Sequence, residues 1–133
     1  MGKKKIVIDT NLFISALGWG GSPKRLIDDV IKGKYKLILS TRQLSEIIKV
    51  LDYPKFDFTE QQKHKLIVLL YKVSTVLKIT KEPKISDDPK DNIILAPADV
   101  MQIDYIITGD DDLLRLKVYK KAKIIKIKDF LGI

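Results

Sequence analysis

The chain has 133 residues, of which 25 are lysine or arginine and 17 are aspartate or glutamate, so its formal net charge is +8. This length suits one domain over residues 1–133, and a hydrophobic share of 45% is typical of a protein with a buried core. The chain has no cysteine and one histidine, which excludes disulfide scaffolds, thiolate-held zinc, iron–sulfur clusters, thiol nucleophiles and multi-histidine metal sites.

The positive charge comes almost entirely from lysine. A basic excess favours a polyanionic partner such as nucleic acid, although a general lysine bias of the organism predicts the same composition. No stretch reaches the ~18 apolar residues of a membrane span, and Asp9 interrupts the N-terminal run that otherwise resembles a signal peptide. We therefore expect a cytoplasmic protein that does not enter a membrane.

Hydrophobic runs and capping residues predict alternating strands and helices. The predicted strands are 5–8, 35–39, 76–79, 105–108 and 123–127. Helical segments are predicted at 10–17, 22–32, 41–51, from 60 onward, 92–102, 111–116 and 128–131, with Ser22, Ser40 or Thr41, and Thr59 as N-caps. This alternation predicts a parallel sheet covered by helices on both faces, with its functional site beyond the carboxyl ends of the strands.

Four carboxylates belong to that edge of the predicted sheet. Asp9 directly follows the first strand, Glu46 lies in the helix after the second, Asp91 begins the helix at 92–102, and Asp110 follows the fourth strand. Each alone is explained as a helix cap, a first-turn acid or an exposed ion-paired residue. Together they would raise one another's pKa unless a cation offsets them. Carboxylate-only sites suit Mg²⁺ or Mn²⁺, and such a site on a basic protein fits phosphodiester hydrolysis.

Several neighbouring features have a simpler interpretation. Asp87, Asp88 and Asp111 are predicted to be solvated acids outside the site. Pro97 falls inside the predicted helix 92–102, where a proline kinks the helix at a cost of roughly 3 kcal/mol, so we expect an interruption close to Asp91. Trp19, flanked by glycines, is interpreted as a loop anchor or dimer contact, with stacking on a nucleobase as the alternative.

Five segments, in order along the whole chain, resemble the motifs of PIN domains. Residues 6–11 (IVIDTN) resemble the apolar run and DTN of the family's opening. The next three acidic motifs are matched by residues 44–46 (LSE), 88–93 (DPKDNI) and 107–114 (ITGDDDLL), and the usual ending by residues 128–131 (KDFL). DTN alone is weak evidence, whereas four acidic motifs in order are strong evidence.

The resemblance implies a three-layer α/β/α fold with a parallel sheet of four or five strands in the order 3-2-1-4-5. It also implies a single PIN-like nuclease domain over residues 1–133, a Mg²⁺- or Mn²⁺-dependent endoribonuclease acting on single-stranded or structured RNA. Catalytic, metal-binding acids would be Asp9, Glu46, Asp91 and Asp110, with Asp112 as an accessory metal ligand and Thr10, Asn11 and Thr108 as supporting polar residues. The most similar branch contains VapC-like toxins of toxin–antitoxin modules, which implies an antitoxin partner and a homodimer.

Lysines near the C-terminus are the best sequence candidates for contacts with the RNA backbone, namely Lys117, Lys120, Lys121 and Lys123. Their structural alternative is a charged edge strand. The main alternative function is a non-catalytic nucleic-acid-binding PIN domain with a degenerate metal site. A receiver domain is disfavoured because Thr80 and Lys81, not an aspartate, follow the third strand, and a haloacid-type phosphatase because Asn11 stands where a second aspartate is required.

Overall fold

A computed structural model describes residues 2–133. The strands are β1 (Lys5–Ile8), β2 (Lys36–Ser40), β3 (Ser74–Leu77), β4 (Tyr105–Ile107), β5 (Val118–Tyr119) and β6 (Ala122–Ile125). The helices are α1 (Thr10–Gly18), α2 (Gly21–Ile31), α3 (Thr41–Leu51), α4 (Glu60–Val73), α5 (Pro89–Leu95), α6 (Pro97–Val100), α7 (Asp111–Leu116) and α8 (Ile127–Leu131), with a 3₁₀ turn at Pro54–Phe56.

The strands form one sheet in the order β3-β2-β1-β4-β6-β5. All neighbours are parallel except β5 and β6, which form an antiparallel hairpin. The three-layer fold and the order 3-2-1-4-5 are therefore confirmed for the five parallel strands, with β6 as the fifth. The five parallel strands agree with the predicted parallel sheet of four or five strands, and the antiparallel β5 is an addition that the sequence analysis did not predict. Strand β5 was missed because it has only two residues and its turn, Lys120–Lys121, carries positive φ angles that usually indicate glycine or asparagine.

The core divides between the two faces of the sheet because strand side chains alternate. Ile6 and Ile8 of β1 pack with the buried residues of α1, α2, α3 and α4 on one face. Val7 points to the opposite face, where it packs with α5, α6 and α7. Helices thus cover both faces, and the carboxyl ends of the parallel strands meet at one edge, which we call the carboxyl edge.

The helix starts show which capping signals were informative. The Ser40 hydroxyl accepts from the Gln43 amide at 3.0 Å, and Thr59 and Gln62 form the capping box that the sequence predicts. Ser22 is not a cap, because α2 already begins at Gly21 after Gly20, whose φ of 77° favours glycine. Strand β3 begins two residues before the predicted 76–79.

Pro97 interrupts the predicted helix 92–102, as expected. The segment consists of α5, which ends at Leu95, and the one-turn α6, which begins at Pro97. The predicted start at Asn92 is wrong, because the Asp88 side chain accepts from the Lys90 amide at 3.0 Å and Pro89 opens the helix at its first position. Asp91 consequently lies inside the first turn of α5.

Within residues 2–133 every helix is too short or too polar to cross a bilayer, the longest being α4 with 14 residues.

Candidate active site

Asp9 and Asp110 are neighbours because β1 and β4 are adjacent and parallel. Ile8 is paired with Ile107, and the Asp9 amide donates to the Ile107 carbonyl at 2.9 Å. Each aspartate also caps the helix that follows its strand. Asp9 Oδ1 accepts from the Asn11 amide at 3.3 Å, and Asp110 Oδ1 accepts from the Leu113 amide at 3.0 Å. The capping interpretation is therefore correct for both, and capping leaves each carboxylate with a second oxygen.

Thr108 joins the two aspartates. Its buried hydroxyl donates to Asp9 Oδ2 at 2.6 Å and accepts from the Asp110 amide at 3.0 Å. A single hydroxyl thus fixes the carboxylate of one aspartate and the backbone of the other. The sequence predicted Thr108 as a polar residue that supports the acids. The structure places its hydroxyl between Asp9 and Asp110.

Asp91 reaches the same place from α5 and is only 5% exposed. The Ser86 hydroxyl donates to Asp91 Oδ2 at 2.9 Å. The adjacent Asn92 holds the Ser86 backbone from both sides, because its Oδ1 accepts from the Ser86 amide at 2.9 Å and its Nδ2 donates to the Ser86 carbonyl at 2.8 Å. The loop before α5 is therefore tied to the helix that carries the carboxylate.

Glu46 enters from α3, which is attached to the end of β1 by a buried side chain. The Gln43 Nε2 donates to the Ile8 carbonyl at 2.6 Å, one residue before Asp9. Glu46 follows Gln43 by three residues, so it projects from the same side of the helix. The Gln43 contact therefore fixes the distance between the Glu46 turn and the Asp9 turn.

The four predicted acids line one cleft of about 90 Å³ at the carboxyl edge. Its other lining residues are Thr10, Asn11, Val50, Asp88, Lys90 and Ile94. Asp112 approaches from α7, and its carboxylate, with those of Asp91 and Asp110, can offer oxygens that all lie within 4.8 Å of one another. Asp112 is otherwise exposed and forms an ion pair with Arg115. Four of the predicted acids thus share the cleft, and the fifth, Asp112, groups with two of them, Asp91 and Asp110.

Burial is the main cause of the raised pKa of Asp9, Glu46 and Asp91. The negative charge of Asp110 raises the pKa of both Asp9 and Asp91 further, whereas hydrogen bonds from Thr108 and Ser86 act in the opposite direction. For Glu46, the Thr10 hydroxyl and the Lys90 ammonium group oppose the effect of burial. A divalent cation in the cleft would offset the negative charge of these three acids. Carboxylate oxygens are also the ligands that Mg²⁺ and Mn²⁺ prefer.

Two larger clefts adjoin this one. One of about 280 Å³ shares Asp9, Asn11 and Asp110 with it and continues along α1 to Ser15. The other, of about 370 Å³, shares Asp88 and extends past Asp112 to Leu116. The acids therefore lie between two neighbouring clefts that share lining residues with their own.

The predicted lysine contacts lie elsewhere. Lys120 and Lys121 form the β5–β6 turn, which precedes β6 and so lies at the edge opposite the acids, about 13 Å away for a four-residue strand. Lys123 lies on β6 and Lys117 at the end of α7, and all four side chains are exposed. The structure does not bring these lysines to the cleft.

Sequence reasoning missed four residues that build the site. Asp88 is not merely a loop acid, since it caps α5 and lines the cleft. The pair Asp88–Pro89 was a readable signal for this, because proline favours the first position of a helix. Lys90, Ser86 and Gln43 carried no comparable signal, because their roles depend on which distant residues the fold brings next to them.

Comparison with known proteins agrees with this geometry. Residues 5–112 match the PIN domain family, a range that contains all five acids. The chain is also similar to an uncharacterized protein of Methanocaldococcus jannaschii, with 32% identity over 131 residues that cover 96% of this chain and 83% of that protein. The matched range exceeds half of the chain, and we conclude that the chain belongs to the PIN domain family.

Proposed function

We propose that the protein is an endoribonuclease that requires Mg²⁺ or Mn²⁺ and hydrolyses phosphodiester bonds of single-stranded or structured RNA. The observation that carries the proposal is the convergence of Asp9, Glu46, Asp91 and Asp110 on one cleft of a PIN domain. The net charge of +8 supports a polyanionic substrate, because the protein as a whole attracts phosphate groups.

The residues present fit a divalent ion. Asp9, Glu46, Asp91 and Asp110 would hold it, with Asp112 as a further ligand. When bound, such an ion supplies Lewis-acid stabilisation of the charge that develops on a phosphate during hydrolysis. The hydrogen bonds from Thr108, Ser86 and the Leu113 amide hold three of these carboxylates in place before a substrate arrives.

Among residues 2–133, Lys90 is the one cationic residue that lines the cleft. Its charge lowers the pKa of Glu46, so it favours the ionised, metal-binding form of that side chain. We assign Lys90 a second role, which is to attract a phosphate oxygen of the substrate into the cleft. Lys117, Lys120, Lys121 and Lys123 remain proposed contacts for the backbone of a longer RNA, away from the cleft.

Cleavage of a mixed-sequence RNA tests the proposal. Wild-type protein is incubated with single-stranded RNA, an RNA hairpin and single-stranded DNA of the same sequence, with Mn²⁺ or with EDTA. We expect RNA cleavage with Mn²⁺ only, reduced by at least about a hundredfold in Asp9→Asn, since even partners behind a metal ligand cost 10–100-fold. Cleavage that persists in EDTA or in Asp9→Asn contradicts the proposal. RNA binding without cleavage, and without any Mn²⁺-induced thermal shift, supports the degenerate binding domain instead.

The similarity of the motifs to VapC-like toxins supports a more specific role. We infer that the protein acts in the cytoplasm as the toxin of a toxin–antitoxin module, as a homodimer neutralised by an antitoxin protein. Induced expression in a bacterial host should then arrest growth, and Asp110→Asn, expressed at the same level, should not. Growth arrest by both proteins would contradict a nuclease toxin, because it would not depend on the metal ligands.

A further inference from the structure

An aromatic cluster lies where α1 ends and where α3 leads into the 3₁₀ turn, with one ring exposed and three rings partly buried against the core. It consists of Trp19, Tyr53, Phe56 and Phe58, which we call the aromatic platform. The Phe56 ring stacks on Phe58 with 5.6 Å between centroids and on Tyr53 at 6.4 Å, and Trp19 meets its edge at 6.1 Å. Trp19 remains 71% exposed, and the Lys55 ammonium group lies 5.1 Å from the centre of the Phe56 ring.

One face of α1 leads from the acids to this platform. Asn11 lines both the acid cleft and the cleft beside it, and Ser15 lines the second. The Trp19 amide donates to the Ser15 carbonyl at 2.8 Å, so Asn11, Ser15 and Trp19 follow one another at four-residue intervals. This row of residues therefore leads from the cleft at the acids to the end of α1, where Trp19 lies.

A face of α3 leads to the same platform independently. Glu46 and Val50 both line the acid cleft, one turn apart. The Val50 carbonyl accepts from the Tyr53 amide at 3.0 Å, and Tyr53 stacks on Phe56. Two helices thus connect the acids with one aromatic surface.

The separation suits a nucleic acid strand. Eight residues of helix rise about 12 Å, which is about three or four nucleotides at the 3.4 Å spacing of stacked bases, and fewer if the strand is extended. Proteins that bind single strands combine positive charge along the backbone with aromatic rings on which unpaired bases stack. The platform has the rings and a lysine beside them, and the acids lie at the other end of α1.

We propose that the aromatic platform is a stacking subsite for unpaired bases of a single-stranded nucleic acid whose scissile phosphate lies at the acids. This inference rests on the proposed nuclease function and adds a base-binding subsite to it, since bases paired in a duplex cannot stack on Trp19. An anchor role for Trp19 explains less, because an indole that is 71% exposed is not packed as an anchor. A polyanionic occupant agrees with Lys55 and with the net charge of +8.

Trp19 is the only tryptophan, so its fluorescence reports on the platform directly. In EDTA, which prevents metal-dependent cleavage, the protein is titrated with a short thymidine oligonucleotide and with an abasic oligonucleotide of equal phosphate content. Stacking predicts quenching by the thymidine oligonucleotide and none by the abasic one. Equal quenching by both, or by neither, overturns the proposal.

Anisotropy with a labelled oligonucleotide measures the affinity of variants. Trp19→Ala should weaken binding about fivefold to a hundredfold, and Trp19→Phe should restore most of it. Tyr71→Ala, which removes an aromatic ring that is 58% exposed on α4 and outside the platform, is the matched control and should bind as wild type does. Equal affinities of wild type and Trp19→Ala overturn the proposal.

The two proposals can fail separately. Metal-dependent RNA cleavage without base-dependent quenching would support the nuclease function and contradict the stacking role of the aromatic platform. Base-dependent quenching and binding without cleavage of any substrate would support the stacking role of the aromatic platform and contradict the nuclease function. Fluorescence that changes with protein concentration alone, and sedimentation that changes in Trp19→Ala, would assign the surface to a second copy of the chain and overturn the stacking role.

Discussion

Asp9 shows how a single residue carries both a structural and a chemical task. Its carboxylate caps α1 and accepts a hydrogen bond from Thr108, yet burial and the nearby Asp110 raise its pKa. The raised pKa means that the folded state stabilises the ionised form less than water does. Without a cation, the ionised Asp9 therefore decreases the free energy of unfolding, a pattern typical of functional sites.

Asp9→Asn tests whether the ionised Asp9 decreases the free energy of unfolding. Asparagine is a favourable N-cap, and its one side-chain oxygen can still accept from the Asn11 amide. Its amide nitrogen then faces the Thr108 hydroxyl, which has to accept instead of donate, so the substitution removes the charge and reverses one hydrogen bond. In EDTA at neutral pH we expect Tm to rise by roughly 3–5 °C, the equivalent of about 1 kcal/mol in a chain of this length. Thermal unfolding followed by circular dichroism measures it. Asp111→Asn, an exposed neighbour of the cluster, is the control, and an equal rise in both variants would refute a specific burial cost.

The site residues divide by the kind of signal they leave in the sequence. Asp9 and Asp110 were predictable because each directly follows an apolar run and opens a helix. Glu46 was weaker, since a glutamate inside a helix has no local mark, and only its place in a motif singled it out. Gln43 was not predictable, because its buried contact with the Ile8 carbonyl joins residues 35 positions apart.

At the scale of elements, three short helices bring acids to one edge. Helices α1, α5 and α7 begin with capping aspartates at Asp9, Asp88 and Asp110. The first turns of α5 and α7 then carry Asp91 and Asp112. Capping fixes where each helix starts, and thereby fixes the height of each ligand above the sheet.

Pro97 breaks the helix that carries Asp91, yet it lies six positions beyond it. A proline removes its own amide donor and crowds the carbonyl four residues earlier, which is that of Ile93. Asp91 lies before that point, and its position depends on Asp88 and Ser86 instead. We therefore expect Pro97→Ala to leave the affinity for Mn²⁺ within about twofold of wild type, the effect of an indifferent substitution.

Isothermal titration with Mn²⁺ at neutral pH measures this affinity. Ser86→Ala is the comparison, since it removes the hydroxyl that orients Asp91, and it should weaken binding roughly tenfold. A larger loss in Pro97→Ala than in Ser86→Ala would mean that the helix break, not the loop, sets the position of Asp91.

Element boundaries show where sequence patterns stop being informative. The Thr59 cap was predicted, and Ser40 was one of two candidates for the cap of α3, because the hydrogen bonds of both caps are local. The start of α2 and the strand β5 were not predicted. The first depends on a glycine backbone conformation, and the second on pairing with β6 that only the folded sheet provides.

At the scale of the whole molecule, the sheet topology brings together residues that are far apart in the sequence. Asp9 and Asp110 are 101 positions apart in sequence, and the parallel pairing of β1 with β4 makes them neighbours. The alternation of strands and helices predicted a parallel sheet, and the family resemblance supplied its strand order. The distance between the C-terminal lysines and the acids was not predictable, since it depends on the direction of the β5–β6 hairpin.

The raised pKa values predict a pH dependence of stability. For an acid whose folded pKa exceeds its unfolded value, stability is lost as pH rises from the ordinary value near 4 through the raised one. In EDTA, wild type should therefore lose stability relative to Asp9→Asn across that window. Because Mn²⁺ competes with protons for the same oxygens, the Mn²⁺-induced increase in Tm should grow as pH rises.

Thermal unfolding of both proteins across the acidic to neutral range, with Mn²⁺ or EDTA, gives both trends. The difference between the two proteins cancels the titration of all other groups. A Mn²⁺-induced increase in Tm that is constant with pH, or larger under acid conditions, would contradict metal binding through Asp9, Glu46 and Asp91.

The most direct test of the central claim compares two adjacent aspartates. Asp110→Asn and Asp111→Asn remove the same charge one position apart, and asparagine at position 110 can still cap α7. Only Asp110 belongs to the cluster that faces the cleft. With saturating Mn²⁺ and single-stranded RNA, we predict that Asp110→Asn loses at least about a hundredfold in cleavage rate while Asp111→Asn stays within about twofold of wild type. Equal rates for the two variants would contradict a catalytic metal site at the carboxyl edge.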